Sequence, residues 1–166
     1  MDGLTPTSRP KSAPLFNSPV ETSLRTLIVL EAMYPRPCRL SELTWFDHAV
    51  VHTNDFGGPP SLHPDLDSSV GELLVRRKLI EEALNLLQQL HLVEACFDEQ
   101  GVTYLPGEES PALVDMLSSS YNQRLRECAE WVASNFRELK SDEIEDVFAD
   151  RVGRWTAEFQ QEAAMQ

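Results

Sequence analysis

Apolar positions recur at helical spacing along most of this chain, and the places where the spacing breaks divide it into elements. Ser18-Pro19-Val20-Glu21 joins a serine cap, a proline at the first helical position and a glutamate three residues after the cap, so a helix begins here. Leu24, Leu27, Ile28 and Glu31 follow at helical spacing through Met33 and Tyr34. Pro35 and Pro37 stop the run, because proline cannot continue the hydrogen-bond ladder. Arg39-Leu40-Ser41-Glu42 opens a second helix that carries Leu43, Phe46, Val50 and Val51 on one face and fades near Thr53-Asn54-Asp55. An insert rich in turn residues, Gly57-Gly58-Pro59-Pro60-Ser61-Leu62-His63-Pro64, separates it from the longest periodic stretch, residues 69–90. There Leu73, Ile80, Leu84 and Leu87 share one side, with Leu79, Ala83, Leu86 and Leu90 beside them, which predicts that almost the whole third helix is packed.

The period then changes. Leu92 to Phe97, the turn Asp98-Glu99-Gln100-Gly101, and Val102 to Leu105 read together as a β-hairpin. Three helices followed by a hairpin predict a mainly α fold of the winged helix-turn-helix type over residues 18–106, because a plain helical bundle leaves the hairpin segment unexplained. Residues 107–166 continue as a helical extension, first through Ala112, Leu113, Met116 and Leu117, then from about Ser120 through Leu125, Cys128, Ala129, Val132 and Phe136. A last helix follows Ser141, with a seam of Ile144, Val147, Phe148, Val152, Trp155 and Phe159 and an outer side of Asp142, Glu143, Glu145, Asp146, Asp150 and Glu158. Such a helix packs on its own domain, and its aromatic residues also suit docking into a partner's groove.

Composition adds exclusions. The chain has 166 residues, enough for one domain with a sizeable core, and no apolar run long enough to span a bilayer. Residues 1–17 are rich in Pro, Ser and Thr and lack a signal-peptide core, so a loose tail and a cytoplasmic protein are expected. The cysteines, Cys38, Cys96 and Cys128, are widely spaced without a C-x-x-C pair, which predicts reduced and partly buried thiols. Net charge is −13, and residues 94–166 hold 16 acids against 6 bases. So acidic a chain repels phosphate backbones unless a local basic face overrides the field, and a protein partner is favoured over nucleic acid.

No candidate chemistry is complete. His48 and His52 stand one helical turn apart with His63 in the following loop, but Ala49 occupies the position where a zincin carries its glutamate base. The simpler expectation is that His52, His63, Asp47 and Asp55 hydrogen-bond to the loop backbone and hold its shape. Ser61 lacks the G-x-S-x-G turn that exposes a nucleophile, no cysteine carries a catalytic signature, and Gly57-Gly58-Pro59-Pro60 is a turn rather than a phosphate loop. Arg76-Arg77-Lys78 lies on the third helix, the element that enters the major groove in DNA-binding winged helices. Glu72, Glu81 and Glu82 stand one turn from these bases, which points to a solvated face or a protein contact rather than base reading.

Asp47, Val51-His52-x-x-Asp55, the Gly57-to-Pro64 loop and Gly71-Glu72-Leu73-Leu74-Val75-Arg76-Arg77 resemble the middle component of bacterial ABC-three-component systems, of the type called middle component 2. The resemblance runs from about Pro19 to Phe136 and continues through Leu92-Val93, Gly101-Val102-x-Tyr104, Tyr121, Leu125 and Trp131. The chain departs from the pattern at Thr53-Asn54, where Ser-Gly is usual, and at Cys128, where arginine is expected. The resemblance implies a small winged-helix adaptor encoded with an SMC-like ABC ATPase and a separate effector, in systems similar to Lamassu-type defence against phage and plasmids. The chemistry then belongs to the partners, and this chain needs no catalytic residue, metal or cofactor of its own. On that reading Asp47, His52, Asp55, Pro59, Ser61, His63, Glu72, Arg76 and Arg77 build one partner surface, and Trp155 and Phe159 on the acidic last helix build another. A winged-helix transcriptional regulator that binds DNA is the alternative.

Overall fold

Ser18 Oγ accepts a hydrogen bond from the Glu21 N–H at 3.2 Å, and Pro19 takes the first helical position, so α1 (Pro19–Met33) begins at the cap pattern. The computed structural model describes residues 18–64 and 70–164, with the backbone alone for 70, 71 and 154–164. The tail expected over residues 1–17 lies outside the described residues. The remaining elements are α2 (Leu40–Val51), a 3-10 helix (Thr53–Phe56), α3 (Val70–Gln89), β1 (Val93–Asp98), β2 (Gly101–Pro106), α4 (Ser110–Asp115), α5 (Ser120–Phe136) and α6 (Ser141–Ala164). The result is a mainly helical fold with one small antiparallel hairpin.

α1 is the central post, and α2, α3, α4, α5 and β2 pack around it. It carries few polar groups on its buried faces, and two of them satisfy themselves: Ser23 and Thr26 donate to the carbonyls of Pro19 and Thr22 at 2.7 and 2.8 Å. Leu27, Ile28, Leu30 and Met33 are buried in the same core as Leu125, Val132 and Phe136 of α5 and Ile144 and Phe148 of α6. Phe148 lies 5.5 Å from Phe136 and 6.4 Å from Phe46, ring centre to ring centre, while Trp45 stacks on it at 4.9 Å. This aromatic cluster holds α6 against α2 and α5.

Glu42 fixes the junction between α2 and α6. Its carboxylate accepts from the Arg39 N–H at 3.0 Å, from the Arg36 guanidinium at 2.9 and 3.0 Å, and from the Ser141 hydroxyl at 2.6 Å. Burial works against the Glu42 charge, but these donors outweigh it and hold its pKa below the ordinary carboxylate value.

The hairpin pairs Val93 with Pro106 through to Asp98 with Gly101. Cys38, between α1 and α2, extends it: Tyr104 N–H donates to the Cys38 carbonyl at 2.8 Å and Cys38 N–H donates to the Tyr104 carbonyl at 3.0 Å. Cys38 and Cys128 are buried, as the sequence implies, whereas Cys96 is exposed because β1 runs outward beyond the body of the fold. Burial pushes the Cys38 thiol up to about 12.

α3 corrects one expectation. Ile80, Ala83, Leu84 and Leu87 are buried, but Leu74, Val75, Leu86 and Leu90 are 65, 61, 37 and 57% exposed. The helix has a layer of neighbours on one side, formed by α1, α2, β1 and α6, so of the second apolar stripe Ala83 is packed while Leu86 and Leu90 are left uncovered. Among the described residues no helix is long and apolar enough to cross a membrane.

Candidate functional site

A charged residue buried between packed helices must find a partner, because an isolated buried charge is costly. Arg25 stands in this position on α1 and Asp47 on α2, one turn from Leu43 and close to Val50 on the packed face. Arg25 Nε donates to Asp47 Oδ1 at 2.5 Å and its Nη2 to Oδ2 at 3.3 Å. From α3, Arg76 Nη1 donates to the same Oδ2. Asp47 is 1% exposed, Arg25 2% and Arg76 7%, so one carboxylate with two guanidinium groups ties three helices together inside the protein. Burial opposes the charge on Asp47, yet the two arginines more than offset it and its pKa lies below the ordinary 3.8. Burial likewise opposes the Arg25 charge, and Asp47 reverses that, leaving its pKa above the ordinary arginine value. Glu72 adds a longer contact to Arg76 at 3.6 Å from the helix surface. A cavity of about 30 Å³ beside the cluster, bounded by Thr22, Val75 and Leu79, has room for little more than a water molecule.

The loop after α2 is shaped by its own polar groups. Thr53 donates to the Pro59 carbonyl at 2.8 Å, Asn54 N–H donates to Ser61 Oγ at 3.1 Å, and His63 N–H donates to the Val51 carbonyl at 3.1 Å. Gly57 turns the chain at φ +80°, which favours glycine. Gly58 lies so close beneath Trp131 that an added Cβ would come within 2.8 Å of the indole. His63 Nε2 and Tyr121 Oη are 2.8 Å apart, so His63 faces α5 and not Ser61. His48 and His52 lie with ring centres 4.7 Å apart, and His52 and His63 at 6.3 Å. Burial, then the neighbouring His52 and Arg76, pushes His48 down to about 3. Burial, then Arg25 and His52, pushes His63 down to about 4, so both imidazoles are neutral at pH 7. Among the described residues no three His, Cys, Asp or Glu side chains gather as a metal-holding group.

From α6, Arg151 closes the outer side of this loop. Its guanidinium carbon sits 3.9 Å from the centre of the Phe56 ring and its Nη2 donates to the Asp55 carbonyl.

The residues singled out in sequence therefore separate by depth. Asp47, His52 and Arg76 are buried, Pro59, Ser61, His63 and Glu72 are partly covered, and Asp55 and Arg77 are exposed. Asp47 does not brace the loop backbone as the sequence reading expected, because two arginines occupy it, and Arg76 is for the same reason not part of a solvated face. The side chains of Trp155 and Phe159 lie outside the described residues. Sequence reasoning passed over Arg25, which stands beside Thr22, Ser23 and Thr26 and so reads as part of a polar side of α1. It also passed over Gly58 and Arg151, whose partners are 73 and 96 or 95 positions away and leave no local pattern, and over the Glu42–Ser141 contact, 99 positions apart, although the Arg36 and Arg39 donors to Glu42 are local.

The fold and the site define a small, mainly helical protein pinned at its centre by a buried carboxylate and two arginines. The chain belongs to the family described as the ABC-three component (ABC-3C) system Middle Component 2, whose family model matches residues 15–158. Membership of that family makes it one component of a system that contains other subunits. No curated protein and no solved structure matches the chain.

Proposed function

We propose that this chain is a non-enzymatic adaptor that bridges an SMC-like ABC ATPase and an effector, with nuclease the expected effector chemistry, in a prokaryotic antiviral or anti-plasmid defence complex in the cytoplasm. The observation that carries the reading is the use made of the motif residues in a chain of this family: Asp47, Arg76, His63 and Ser61 are engaged with Arg25, Tyr121 and the loop backbone, so they hold a shape. A shaped loop and uncovered apolar side chains on α3 serve binding to other subunits. The body takes the winged-helix form in this reading. Support for that form comes from the order of three helices and a hairpin and from the Cys38–Tyr104 pairing, a one-residue bridge that joins the α1–α2 connection to β2.

The loop ending at Pro64 together with Arg77 forms one partner surface, and α6 around Trp155 and Phe159 forms the other. ATPase engagement of foreign DNA shifts the complex toward release or activation of the effector. DNA is met only through the complex. The DNA-binding regulator is the weaker reading, because Arg76 is spent on Asp47 and the exposed Arg77 and Lys78 share α3 with Glu81 and Glu82.

Co-purification of the chain with the proteins encoded beside it tests the adaptor reading, with His63→Ala and Arg77→Ala as interface variants. Recovery of both an ATPase and an effector is the expected result. Failure to recover either, or tight salt-dependent DNA binding by the isolated chain, overturns it.

A further inference from the structure

Between α5, α6 and the 3-10 helix runs an open groove of about 460 Å³. Phe56, Trp131, Phe136, Leu139 and Val147 supply its apolar lining. Val147 is 39% exposed, an uncovered apolar side chain on a helix whose other outward positions are mostly acidic. The borders are mostly acidic, with Arg124 an exposed base two turns before Trp131 on α5. Asp150 lines the groove and Asp146 stands one turn before it on α6, while Glu127 stands one turn before Trp131 on α5 and Glu138 lies in the turn that follows α5. All four acids are exposed. The cation in the lining, Arg151, is held by the Phe56 ring and the Asp55 carbonyl.

We infer that this groove binds a basic amphipathic helix of a partner subunit, with apolar side chains against Trp131 and Val147 and lysine or arginine side chains over the acids of α5 and α6. The inference rests on the adaptor reading and names the chemistry of one contact. An added strand is not the occupant, because the groove walls are helices whose backbone groups are already hydrogen-bonded within the helix. Affinity must therefore come from side chains, which is the helix-in-groove mode. The acidic border selects the sign of the partner and speeds its approach.

The test uses the full chain and two labelled peptides of about 18 residues, roughly five helical turns. One is an amphipathic leucine–lysine helix and the other its leucine–glutamate counterpart. The lysine peptide is expected to bind at least about tenfold more tightly, with the preference weakening as salt rises. Val147→Asp separates groove binding from simple charge attraction, because it adds negative charge while spoiling the apolar lining. It is expected to weaken the lysine peptide at least about tenfold, whereas non-specific attraction would strengthen it. Asp146→Lys with Asp150→Lys is expected to reverse the preference between the peptides. Circular dichroism of each variant confirms that the fold is kept.

Equal binding of the two peptides, or unchanged binding by Val147→Asp, overturns the inference. So does self-association that Val147→Asp abolishes, or a groove that binds only after residues 1–17 are removed, since a second copy or the chain's own N-terminal segment would then be the occupant. The two readings fail separately. A chain that co-purifies with its neighbours but does not discriminate between the peptides loses the groove assignment alone. A chain that discriminates but recovers neither neighbour loses the adaptor reading.

Discussion

Arg76 of α3 donates to the carboxylate of Asp47 on α2, and both side chains are buried. With Arg25 on the other carboxylate oxygen, the central charge of the protein belongs to its framework. Asp47→Ala leaves two buried guanidinium groups without their anion and is expected to cost about 3–5 kcal/mol in urea unfolding. Arg77→Ala, one position along and exposed, is expected to stay within about 0.5 kcal/mol of the parent. Equal losses for the two variants would remove the structural role of the Asp47 cluster.

Acid is expected to destabilise the protein in two stages. His63 and His48 fall from an ordinary 6.5 to about 4 and about 3 in the fold, so the unfolded chain binds more protons below pH 6.5. Stability is then complete above that pH and declines as pH falls through the folded values. Asp47 has a folded pKa below its ordinary 3.8, so its contribution is present above that value and lost as pH falls through the depressed one. Thermal unfolding midpoints from pH 8 to pH 3 measure both. His63→Gln, which does not titrate there, should flatten the first stage, and an unchanged slope would show that His63 is not its source.

Gly58→Ala is expected to lift the loop off Trp131, since the new methyl carbon meets the indole at 2.8 Å. The cost should be about 1–3 kcal/mol, the range for overpacking a tight contact. A shift of the Trp131 indole NMR signal should accompany it. A variant with parental stability and an unmoved indole would mean that the loop does not rest on this ring.

Buried and exposed apolar positions of α3 should behave differently. Leu84→Ala deletes a fully packed side chain and is expected to cost about 2–5 kcal/mol. Leu74→Lys, at a largely exposed position, should change stability by less than about 0.5 kcal/mol. If Leu74→Lys also lowers recovery of the ATPase or the effector in co-purification, this exposed position is part of a partner surface. Unchanged recovery assigns it no part in assembly.

Much of the architecture was legible along the chain. The Ser18-Pro19 cap, the Pro35 stop and the change of period at Leu92 depend on neighbours within a turn or two, where helix and strand preferences act directly. The family, too, was visible in the loop and the Val75-Arg76-Arg77 run, and the match over residues 15–158 bears it out. The site was harder to read. Arg76 looked like a surface base because its acids at i−4 and nearby are local, whereas its true partner lies 29 positions back on another helix.

By itself, then, the sequence determined where helices start and stop, which faces are apolar, and how charge is distributed, because these follow from short-range spacing. Only the tertiary structure decided which charges are buried and with whom, that α3 is covered on one side, and that Gly58 must yield to Trp131. Those outcomes depend on how separate helices stack. The number of neighbours a helix has, and the distant residue that neutralises a buried charge, are set by packing and not by local pattern.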